Sequence, residues 1–453
     1  MVKLWKQEPA QWRVELEAGE GKALAQRMGD APRQLLIGLG ERDKLTAELL
    51  RRAAAKAVKT VRGFGAESAL LDAAPAMAAL GAEGVSALAL GAELACYRPQ
   101  RWKADDEEKP FTLYLAGAEG TEGALAEAAV LAKHICFARD LVNCPANLLT
   151  PVEMAHRMTE AAQRVGVETQ VLDEEEARAL GMNAFLAVGD SALHPPRLIV
   201  LRWRGGRPEE APIALVGKGV CCDTGGYCLK TSGGLRGTRG DMAGGAAVCG
   251  AILALAENKV PVNAVAVIPA VENRISPDSY LPGDVIRSMS GKTIEVGNTD
   301  AEGRLILADA VTYAKEKEGA GKVVDIATLT GAVVQALGFT TAGLLTNDDE
   351  FCARLQAAAG RCGEQYWRLP AFEEYRRMID SPVADLSNVS SDGCGAITAG
   401  LFVGAFAGDT PWLHLDIAGT AWTDRPRREY QLPGATGAGT ATLYELCRGL
   451  ANG

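Results

Sequence analysis

Short apolar runs alternate with longer stretches of helical periodicity along most of the chain. The runs that predict strands are LLIGLG (35–40), FTLYLAG (111–117), PIALVGKGV (212–220), VNAVAVIPAVE (262–272), KTIEVGN (292–298), KVVDIATLTG (322–331) and WLHLDIAGTAW (412–422). The stretches that predict helices are ERDKLTAELLRRAAAKAVKTV (41–61), EGALAEAAVLAKHICFARDLVN (122–143), DMAGGAAVCGAILALAE (241–257), LILADAVTYAKEKEG (305–319) and GTATLYELCRGLA (439–451). Strands that alternate with helices are typical of α/β proteins with a mainly parallel sheet, so the pattern predicts that fold class.

One long predicted helix divides the chain into two parts. The helix ends before CPANLLTP, whose two prolines cannot continue it. We therefore expect a small N-terminal α/β domain over residues 1–120, a linker helix over 121–143, and a larger α/β domain with a central, mainly parallel sheet over 144–453.

Composition and charge exclude several classes of protein. With 453 residues, 48% of them hydrophobic, the chain is long enough to bury large cores. The formal net charge of -10 argues against nucleic acid or an anionic membrane as an obligate partner, because both select basic surfaces. The sequence has no N-terminal apolar segment of the signal-peptide type and no run of about 18 apolar residues. We expect a cytoplasmic protein whose eleven cysteines are reduced.

Four acidic residues follow predicted strands or begin predicted helices: Asp223, Asp241, Asp300 and Glu302. The carboxyl ends of the strands of an open α/β sheet line one crevice, so these side chains are expected to converge. Four carboxylates in a partly dry crevice repel one another and favour bound cations. None of the chain's four histidines lies in these segments, so the ligands would be mainly oxygen atoms, which suit Mg²⁺, Mn²⁺ or Zn²⁺ in a site without histidine.

A structural role is an alternative for the acids before the helix at 305. Thr299 to Glu302 fits the S/T-x-x-E capping box, in which both side chains only satisfy amides at a helix start. Gly303 argues against it as a poor helix former, and so does Arg304, a cation at the positive end of the helix dipole. An anion is expected near Arg304, which could also form a salt bridge with Asp300 or Glu302.

The other charged residues also have simpler interpretations. Asp241 could be the N-cap of its helix, and Lys218 and Lys230 could be solvated lysines of a glycine-rich turn. A phosphate-binding loop is disfavoured because neither G-x-x-x-x-G-K-[ST] nor G-x-G-x-x-G occurs. His414 alternates with apolar residues and is interpreted as a core or interface histidine.

Three charged segments stand in order along the chain: VGKGVCCDTGGYCLK (216–230), GDMAGGAA (240–247) and NTDAEGRLILADA (298–310). They resemble the signature of the leucyl aminopeptidase (cytosol aminopeptidase) family of dinuclear metalloaminopeptidases. The resemblance continues through DIATLTGA, GAITAGLF and HLDIAGTAW and covers roughly residues 138–445. The N-terminal domain resembles the family only loosely.

The resemblance implies a role for each charged residue. The ligands of two divalent cations per subunit, Mn²⁺ or Zn²⁺, would be Lys218, Asp223, Asp241, Asp300 and Glu302, with Asp223 and Glu302 bridging. The cations would bind the free α-amine and the carbonyl of a peptide's first residue and activate a water, which implies an exopeptidase. Lys230 would stabilise the oxyanion, and Arg304 would hold a bicarbonate ion as general base. Similar family members are homohexamers.

One departure from the family pattern bears on specificity. Thr238 stands where the family usually has a methionine of the substrate pocket, so the preferred N-terminal residue stays open. Two alternatives from other classes also remain. One is a catalytically silent scaffold or regulatory protein on the same fold, and the other is a dinuclear hydrolase of phosphoesters, which would require additional basic residues near the metals.

Overall fold

The computed structural model describes residues 1–6, 10–18, 24–27, 33–100, 110–390 and 392–451. The chain divides into two compact units. The first unit comprises Met1–Cys136, Arg361–Gly363 and Asp424–Pro433, and the second comprises Phe137–Gly360, Glu364–Thr423 and Gly434–Gly453. Each unit is a mixed α/β fold, and the predicted combination of a small N-terminal part with a larger part built on a mostly parallel sheet is confirmed.

Within the described residues, the first unit contains a six-stranded sheet, two complete α-helices and the start of a third. Its elements are β1 (Val2–Leu4), β2 (Trp12–Ala18), β3 (Leu24–Arg27), β4 (Arg33–Gly40), α1 (Ala47–Gly63), β5 (Ser68–Asp72), α2 (Ala74–Cys96) and β6 (Thr112–Ala116). The strand order is β1-β6-β5-β2-β4-β3, and only β3 pairs antiparallel with its neighbour. Helix α1 begins six residues after the start of the predicted stretch, where the Thr46 side chain accepts a hydrogen bond from the Leu49 amide.

Helix α3 (Glu122–Asn143) runs from the first unit into the second and has the bounds that the sequence predicts. The elements that follow in the first half of the second unit are α4 (Pro151–Arg164), β7 (Glu168–Leu172), α5 (Glu174–Ala179), α6 (Asn183–Gly189), β8 (Arg197–Arg204), β9 (Ile213–Gly217), β10 (Gly219–Asp223), α7 (Ser232–Leu235), α8 (Ala243–Glu257), β11 (Asn263–Asn273), β12 (Val285–Arg287) and β13 (Thr293–Glu295). The remaining elements are α9 (Glu302–Glu316), β14 (Lys322–Ala327), α10 (Gly331–Leu337), β15 (Thr341–Thr346), α11 (Asp349–Cys362), β16 (Gln365–Arg368), α12 (Glu373–Arg377), β17 (Leu386–Ser387), α13 (Gly395–Ala407), β18 (Trp412–Asp416), β19 (Trp422–Thr423), β20 (Gly434–Ala435) and α14 (Thr440–Leu450).

The main sheet of the second unit has the order β16-β15-β18-β14-β9-β11-β8-β7, and β10 pairs with the distal part of β11. The central strands β18, β14, β9 and β11 are parallel to one another, whereas β15 pairs antiparallel with β18 and β8 antiparallel with both β11 and β7. Helices α8 and α9 pack on β9, β11 and β14. Their residues are buried on nearly all sides, as expected for helices that cover the centre of a sheet.

Two predicted strands differ from expectation in ways that shape the site. The run 212–220 is two strands, because β9 ends at Gly217 and β10 begins at Gly219, with Lys218 between them. The run 292–298 forms only the short β13, which belongs to a separate sheet of the order β12-β13-β17. The acids after residue 298 therefore do not follow a strand of the main sheet, contrary to the sequence-based expectation.

In the part of the chain that the structure describes, two helical segments are as long and apolar as membrane spans. They are Ala74–Cys96, with 56% of its most apolar window buried, and Thr238–Glu257, with 83% buried. The sequence pattern did not single them out as spans. Burial of this extent is typical of core helices, and α8 within the second segment is covered by α4, α14 and the main sheet.

Candidate metal centre

Six charged side chains of the second unit converge at the carboxyl end of β10 and the start of α9. We call this group the acidic cage; its members are Lys218, Asp223, Lys230, Asp241, Asp300 and Glu302. Asp223 is the last residue of β10, Glu302 is the first residue of α9, and Asp241 lies between the short 3₁₀ helix Thr238–Gly240 and α8. The structure thus brings together the four acids and two lysines that the sequence singles out.

Three of the acids are close enough to share a cation. One carboxylate oxygen each from Asp223, Asp300 and Glu302 lies within 4.8 Å of the others. Asp223 and Glu302 are buried, whereas the Asp300 side chain is 34% exposed. Within the described residues, this is the group of histidine, cysteine and acidic side chains whose spacing suits a metal ion.

Three oxygen atoms surround the Nζ of Lys218. Its Nζ lies 2.8 Å from Asp241 Oδ1 and 2.9 Å from Glu302 Oε1, and it donates to the carbonyl oxygen of Thr328 at 2.9 Å. The side chain is buried. Burial lowers the pKa of Lys218, but the charges of Asp241, Glu302 and Asp223 outweigh burial and raise it well above the ordinary value. Without a bound cation the amine is therefore an ammonium.

Lys230 closes the more exposed side of the acidic cage. Its Nζ lies 2.5 Å from Asp223 Oδ2 and forms a second ion pair with Asp300 Oδ1. The other oxygen of Asp223 accepts hydrogen bonds from the Gly225 amide and from Asn273 Nδ2, both at 2.9 Å. Asp223 is therefore fixed by neutral donors on one side, while Lys230 occupies the other.

The carboxyl groups of Asp241, Asp300 and Glu302 have pKa values above those of free acids. Burial, together with the negative charge of Asp223, raises the pKa of Glu302 to about 8 and that of Asp241 to about 6. Burial also raises the pKa of Asp300 above its ordinary value. Four carboxylates with only two ammonium groups carry excess negative charge in a site of low polarity, and cations with more than one charge would relieve it.

Two polar atoms of the acidic cage are buried without any hydrogen-bond partner among the described residues, namely Asp241 Oδ2 and Glu302 Oε2. Such orphaned carboxylate oxygens are costly unless something binds them. The donor set of carboxylate oxygens and one amine nitrogen suits Mn²⁺, Mg²⁺ or Zn²⁺. The residues present therefore fit divalent cations.

Gly303 allows Lys218 to reach the acids. A Cβ on Gly303 would stand 2.5 Å from Lys218 Cε and 2.8 Å from its Nζ, closer than real side chains approach. The space beside Gly303 is therefore filled by the lysine side chain.

The structural alternatives for Thr299 and Asp241 are wrong. The N-cap of α9 is Ala301, which makes no side-chain capping bond, and Thr299 Oγ1 instead donates to Gly225 O at 2.6 Å and accepts from the Cys228 amide. The N-cap of α8 is Met242, and Asp241 accepts from Thr328 Oγ1 at 2.8 Å rather than from the helix amides.

Arg304 is separated from the acids by helix geometry. Helix α9 begins at Glu302, so Glu302 and Arg304 both lie in its first turn. Residues two apart in a helix project about 200° from each other. Arg304 accordingly forms no ion pair with Asp300 or Glu302, and its Nη1 donates to Asn388 O at 2.6 Å.

The guanidinium of Arg304 nevertheless retains an unused donor. Its Nε is buried and has no hydrogen-bond partner among the described residues. Burial lowers the pKa of Arg304 to about 10, so the side chain stays charged at neutral pH. A bound anion would satisfy both the buried charge and the free N–H donor of Arg304.

Three residues that hold the acidic cage were not found from the sequence. They are Asn273, which donates to Asp223; Thr328, which binds both Lys218 and Asp241; and Asp416, which binds the segment after Thr328. All three follow or end strands of the main sheet, β11, β14 and β18. The rule that ligands lie at the carboxyl ends of strands would have identified these three residues if it had been applied to neutral as well as charged side chains and to every strand of the sheet.

Thr238, which departs from the family pattern, lies three residues before Asp241. Thr238 and Arg239 belong to the 3₁₀ helix directly before Asp241, and the Arg239 guanidinium lies 5.1 Å from the centre of the Trp422 ring.

His414 is fully buried, with Nδ1 2.5 Å from Asp325 Oδ1, and is thus a core histidine. All eleven cysteines lie in the described part of the chain and are free thiols.

Two family models match the sequence. The model of the cytosol aminopeptidase family catalytic domain matches residues 136–444, and the model of the N-terminal domain of the same family matches residues 17–106. The second match extends the similarity into the part of the chain that individual motifs matched only loosely.

Individual relatives cover most of the chain. A protein of Clostridium perfringens named "Probable cytosol aminopeptidase" is 44% identical over 91% of this chain and 85% of its own. A protein of the same name from Solibacter usitatus is 44% identical over 92% of this chain and 86% of its own. A solved structure, "Bottromycin maturation enzyme BotP in complex with Mn", is 34% identical, has a TM-score of 0.91, and matches 98% of this chain and 100% of its own.

Proposed function

The chain belongs to the cytosol aminopeptidase family and is a peptidase hydrolase, and we propose that it releases N-terminal amino acids from peptides with two divalent cations held in the acidic cage. The observation that carries the proposal is the convergence of Lys218 with four carboxylates, two of which keep a buried oxygen without a partner. Such a group is expensive to bury for structure alone, since the pKa values of Glu302 and Asp241 are raised.

The proposed ligands are those implied by the resemblance: Lys218, Asp223, Asp241, Asp300 and Glu302. When bound, the cations polarise the peptide carbonyl and make a water acidic enough to supply a nucleophile at neutral pH. Lys218 would bind a cation only as a neutral amine, so cation binding would release its ammonium proton to solvent. The carbonyl of Thr328 keeps one N–H of the amine and thereby orients its lone pair.

Two basic residues act on the substrate. Lys230 leaves its ion pairs with Asp223 and Asp300 when the acids bind metal, and its ammonium then stabilises the oxyanion that develops on the scissile carbonyl. Arg304 would hold a bicarbonate ion with its unpartnered Nε, and that ion would supply a general base beside the attacking water.

The substrates are peptides with a free N-terminus, because a neutral α-amine is itself a metal ligand and fixes the first residue at the site. Thr238 gives the pocket a smaller and more polar wall than the methionine usual in the family. The cations are Mn²⁺ or Zn²⁺, and the Mn-bound state of the similar BotP structure supports the first.

The domain bounds, the cellular location and the assembly are also proposed. Residues 144–453 form the catalytic domain, 1–120 the N-terminal domain and 121–143 the linker helix. The protein works in the cytoplasm as a homohexamer, without nucleic acid or membrane; the names of the relatives support the cytoplasm.

A panel of aminoacyl-amide substrates tests the proposal. Hydrolysis is expected to cease after chelation and to return with Mn²⁺ or Zn²⁺, and Glu302→Ala is expected to lose both metal binding and hydrolysis. Absence of hydrolysis in the metal-loaded protein would favour a silent scaffold, and hydrolysis of phosphoesters instead of amides would favour the phosphoesterase alternative. Full activity of Glu302→Ala would overturn the ligand assignment.

A further inference from the structure

We propose that Asp416 is a positioning residue for the metal centre: it fixes the segment Thr328–Thr330 so that Thr328 holds the side chains of Lys218 and Asp241. The inference rests on the proposed function, because it concerns two of the proposed metal ligands. It extends the site to a strand, β18, that contributes no ligand of its own.

Asp416 is a fully buried carboxylate that binds backbone and hydroxyl of the neighbouring loop. Its Oδ2 accepts from Thr330 Oγ1 at 2.7 Å, and its Oδ1 accepts from the amides of Leu329 at 3.1 Å and Ala418 at 3.2 Å. Strand β18 pairs with β14 so that Asp416 lies opposite Ala327, the residue before Thr328. The carboxylate therefore binds the two residues that directly follow Thr328, beyond the end of β14.

Thr328 in turn contacts two proposed ligands with two different groups. Its carbonyl oxygen accepts from Lys218 Nζ at 2.9 Å, and its hydroxyl donates to Asp241 Oδ1 at 2.8 Å. The Thr328 carbonyl and the Leu329 amide belong to one planar peptide unit, so the carbonyl turns with that unit, while the hydroxyl follows the position of the Thr328 Cα. The bonds from Leu329 and Thr330 to Asp416 set the orientation of that peptide unit.

The direction of the contacts suits metal binding. A neutral lysine amine has two N–H groups and one lone pair, and the Thr328 carbonyl takes one N–H. The Thr328 hydroxyl occupies Asp241 Oδ1, while Oδ2 of the same carboxylate is buried and has no partner among the described residues. Groups that orient metal ligands in this way typically contribute 10- to 100-fold in metal affinity or activity.

The test is calorimetric titration of Mn²⁺ into the full chain after removal of metal by a chelator. Asp416→Ala is expected to weaken Mn²⁺ binding roughly 10- to 100-fold. Asp416→Asn is expected to bind closer to wild type, because the amide oxygen still accepts from Leu329 and the amide nitrogen can donate to the Thr330 hydroxyl. An equal loss in both variants would show that charge, not position, matters, and would overturn the inference.

Thr330 provides a second test that leaves the Asp416 side chain itself unchanged and removes one of its donors. Thr330→Val removes both the bond to Asp416 and the cap bond from the Val333 amide of α10, and it is expected to weaken Mn²⁺ binding several-fold, while Thr330→Ser keeps the hydroxyl and both bonds. The matched control is Thr346→Val, because Thr346 Oγ1 donates at 2.7 Å to Trp412 O at the other end of β18. Thr346→Val is expected to bind Mn²⁺ as wild type does, even if it lowers the melting temperature.

The outcomes separate this inference from the proposed function. If the wild type binds no Mn²⁺ and hydrolyses no aminoacyl amide, both fail. If the wild type binds Mn²⁺ and Thr330→Val and Asp416→Ala bind it equally well, the proposed function stands and the positioning role of Asp416 is excluded. Weakening by Thr330→Val but not by Thr346→Val supports the role even where Asp416→Ala does not fold.

Discussion

Gly303 and Lys218 fit together so closely that no side chain can replace the glycine hydrogen. A Cβ at Gly303 would lie 2.5 Å from Lys218 Cε and 2.8 Å from its Nζ. The glycine sits in the first turn of α9, where it weakens the helix relative to alanine by up to about 1 kcal/mol. The glycine is required despite this cost, because the buried Lys218 side chain occupies the space that a larger residue would need.

Gly303→Ala is therefore expected to displace Lys218 from Glu302 and Asp241 and to lower the affinity for Mn²⁺ by at least about tenfold. Gly360→Ala is the matched control, since Gly360 lies in α11 and a Cβ there would meet nothing within 4 Å. The control is expected to gain a little stability and to keep its metal affinity. Titration of Mn²⁺ into both chelator-treated variants gives the comparison, and unchanged affinity of Gly303→Ala would show that Lys218 is not a ligand.

The local pattern predicted elements well where one segment determines its own structure. Helix α3 has the predicted bounds because its apolar periodicity is long and prolines follow it. The break at Lys218 escaped prediction because β9 pairs with β14 on one side and with β11 on the other, whereas in the described part of the chain β10 continues only the pairing with β11. Such pairings depend on distant residues that a local apolar run does not reveal.

The residues of the site also divide into those that their own segment reveals and those that depend on distant parts of the chain. Charged residues such as Asp223 and Glu302 stand out in the sequence because their carboxylates need an explanation. Thr328 and Asp416 did not, because their role depends on the adjacency of β14 and β18, which is set by the sheet order. The helix start at Glu302 was also missed, since Gly303 disfavours a helix and only the packing of α9 on the sheet supports it.

Lys230 is expected to affect catalysis and metal binding in opposite directions. Without cations its ammonium neutralises Asp223 and Asp300, so divalent metal must displace it. Lys230→Met is expected to bind Mn²⁺ more tightly than wild type, while kcat falls roughly 100- to 1,000-fold because the oxyanion loses its stabilising charge. Calorimetry and steady-state kinetics on an aminoacyl amide measure the two effects.

The control for Lys230 is Lys317→Met, at the exposed end of α9. It is expected to change neither value. A fall of kcat with equally weakened metal binding in Lys230→Met would mean that Lys230 supports the metal site instead of acting on the substrate.

Arg304 is expected to make activity depend on bicarbonate. Its buried, unpartnered Nε would hold the anion, whose general-base role typically contributes at least about 100-fold. In buffer freed of carbon dioxide, wild-type kcat is expected to fall and to recover with added bicarbonate but not with chloride at equal ionic strength. Arg304→Ala is expected to be slow and to show no response. A bicarbonate response that persists in Arg304→Ala would place the anion elsewhere.

Asp309 is expected to make folding stability depend on pH. This buried carboxyl accepts hydrogen bonds from the backbone amides of Phe185 at 2.9 Å and Met289 at 2.8 Å, yet burial dominates and raises its pKa from 3.8 to about 7. The folded protein thus holds the proton more tightly than the unfolded chain. The resulting stabilisation is fully present below about pH 4 and is lost as pH rises to about 7, at about 1.4 kcal/mol per pH unit.

Asp309→Asn isolates this contribution from the titration of the acidic cage, which lies two helical turns away and is common to both proteins. The asparagine cannot titrate, and its NH₂ group faces one of the two backbone amides, so the variant is expected to be less stable than wild type near pH 5. The difference in free energy of unfolding is expected to shrink between pH 5 and pH 7 and to level off above pH 7, as measured by denaturant unfolding at each pH. A difference that stays constant across this range would mean that Asp309 is ionised in the folded protein, because then its two amide hydrogen bonds would outweigh the cost of burial.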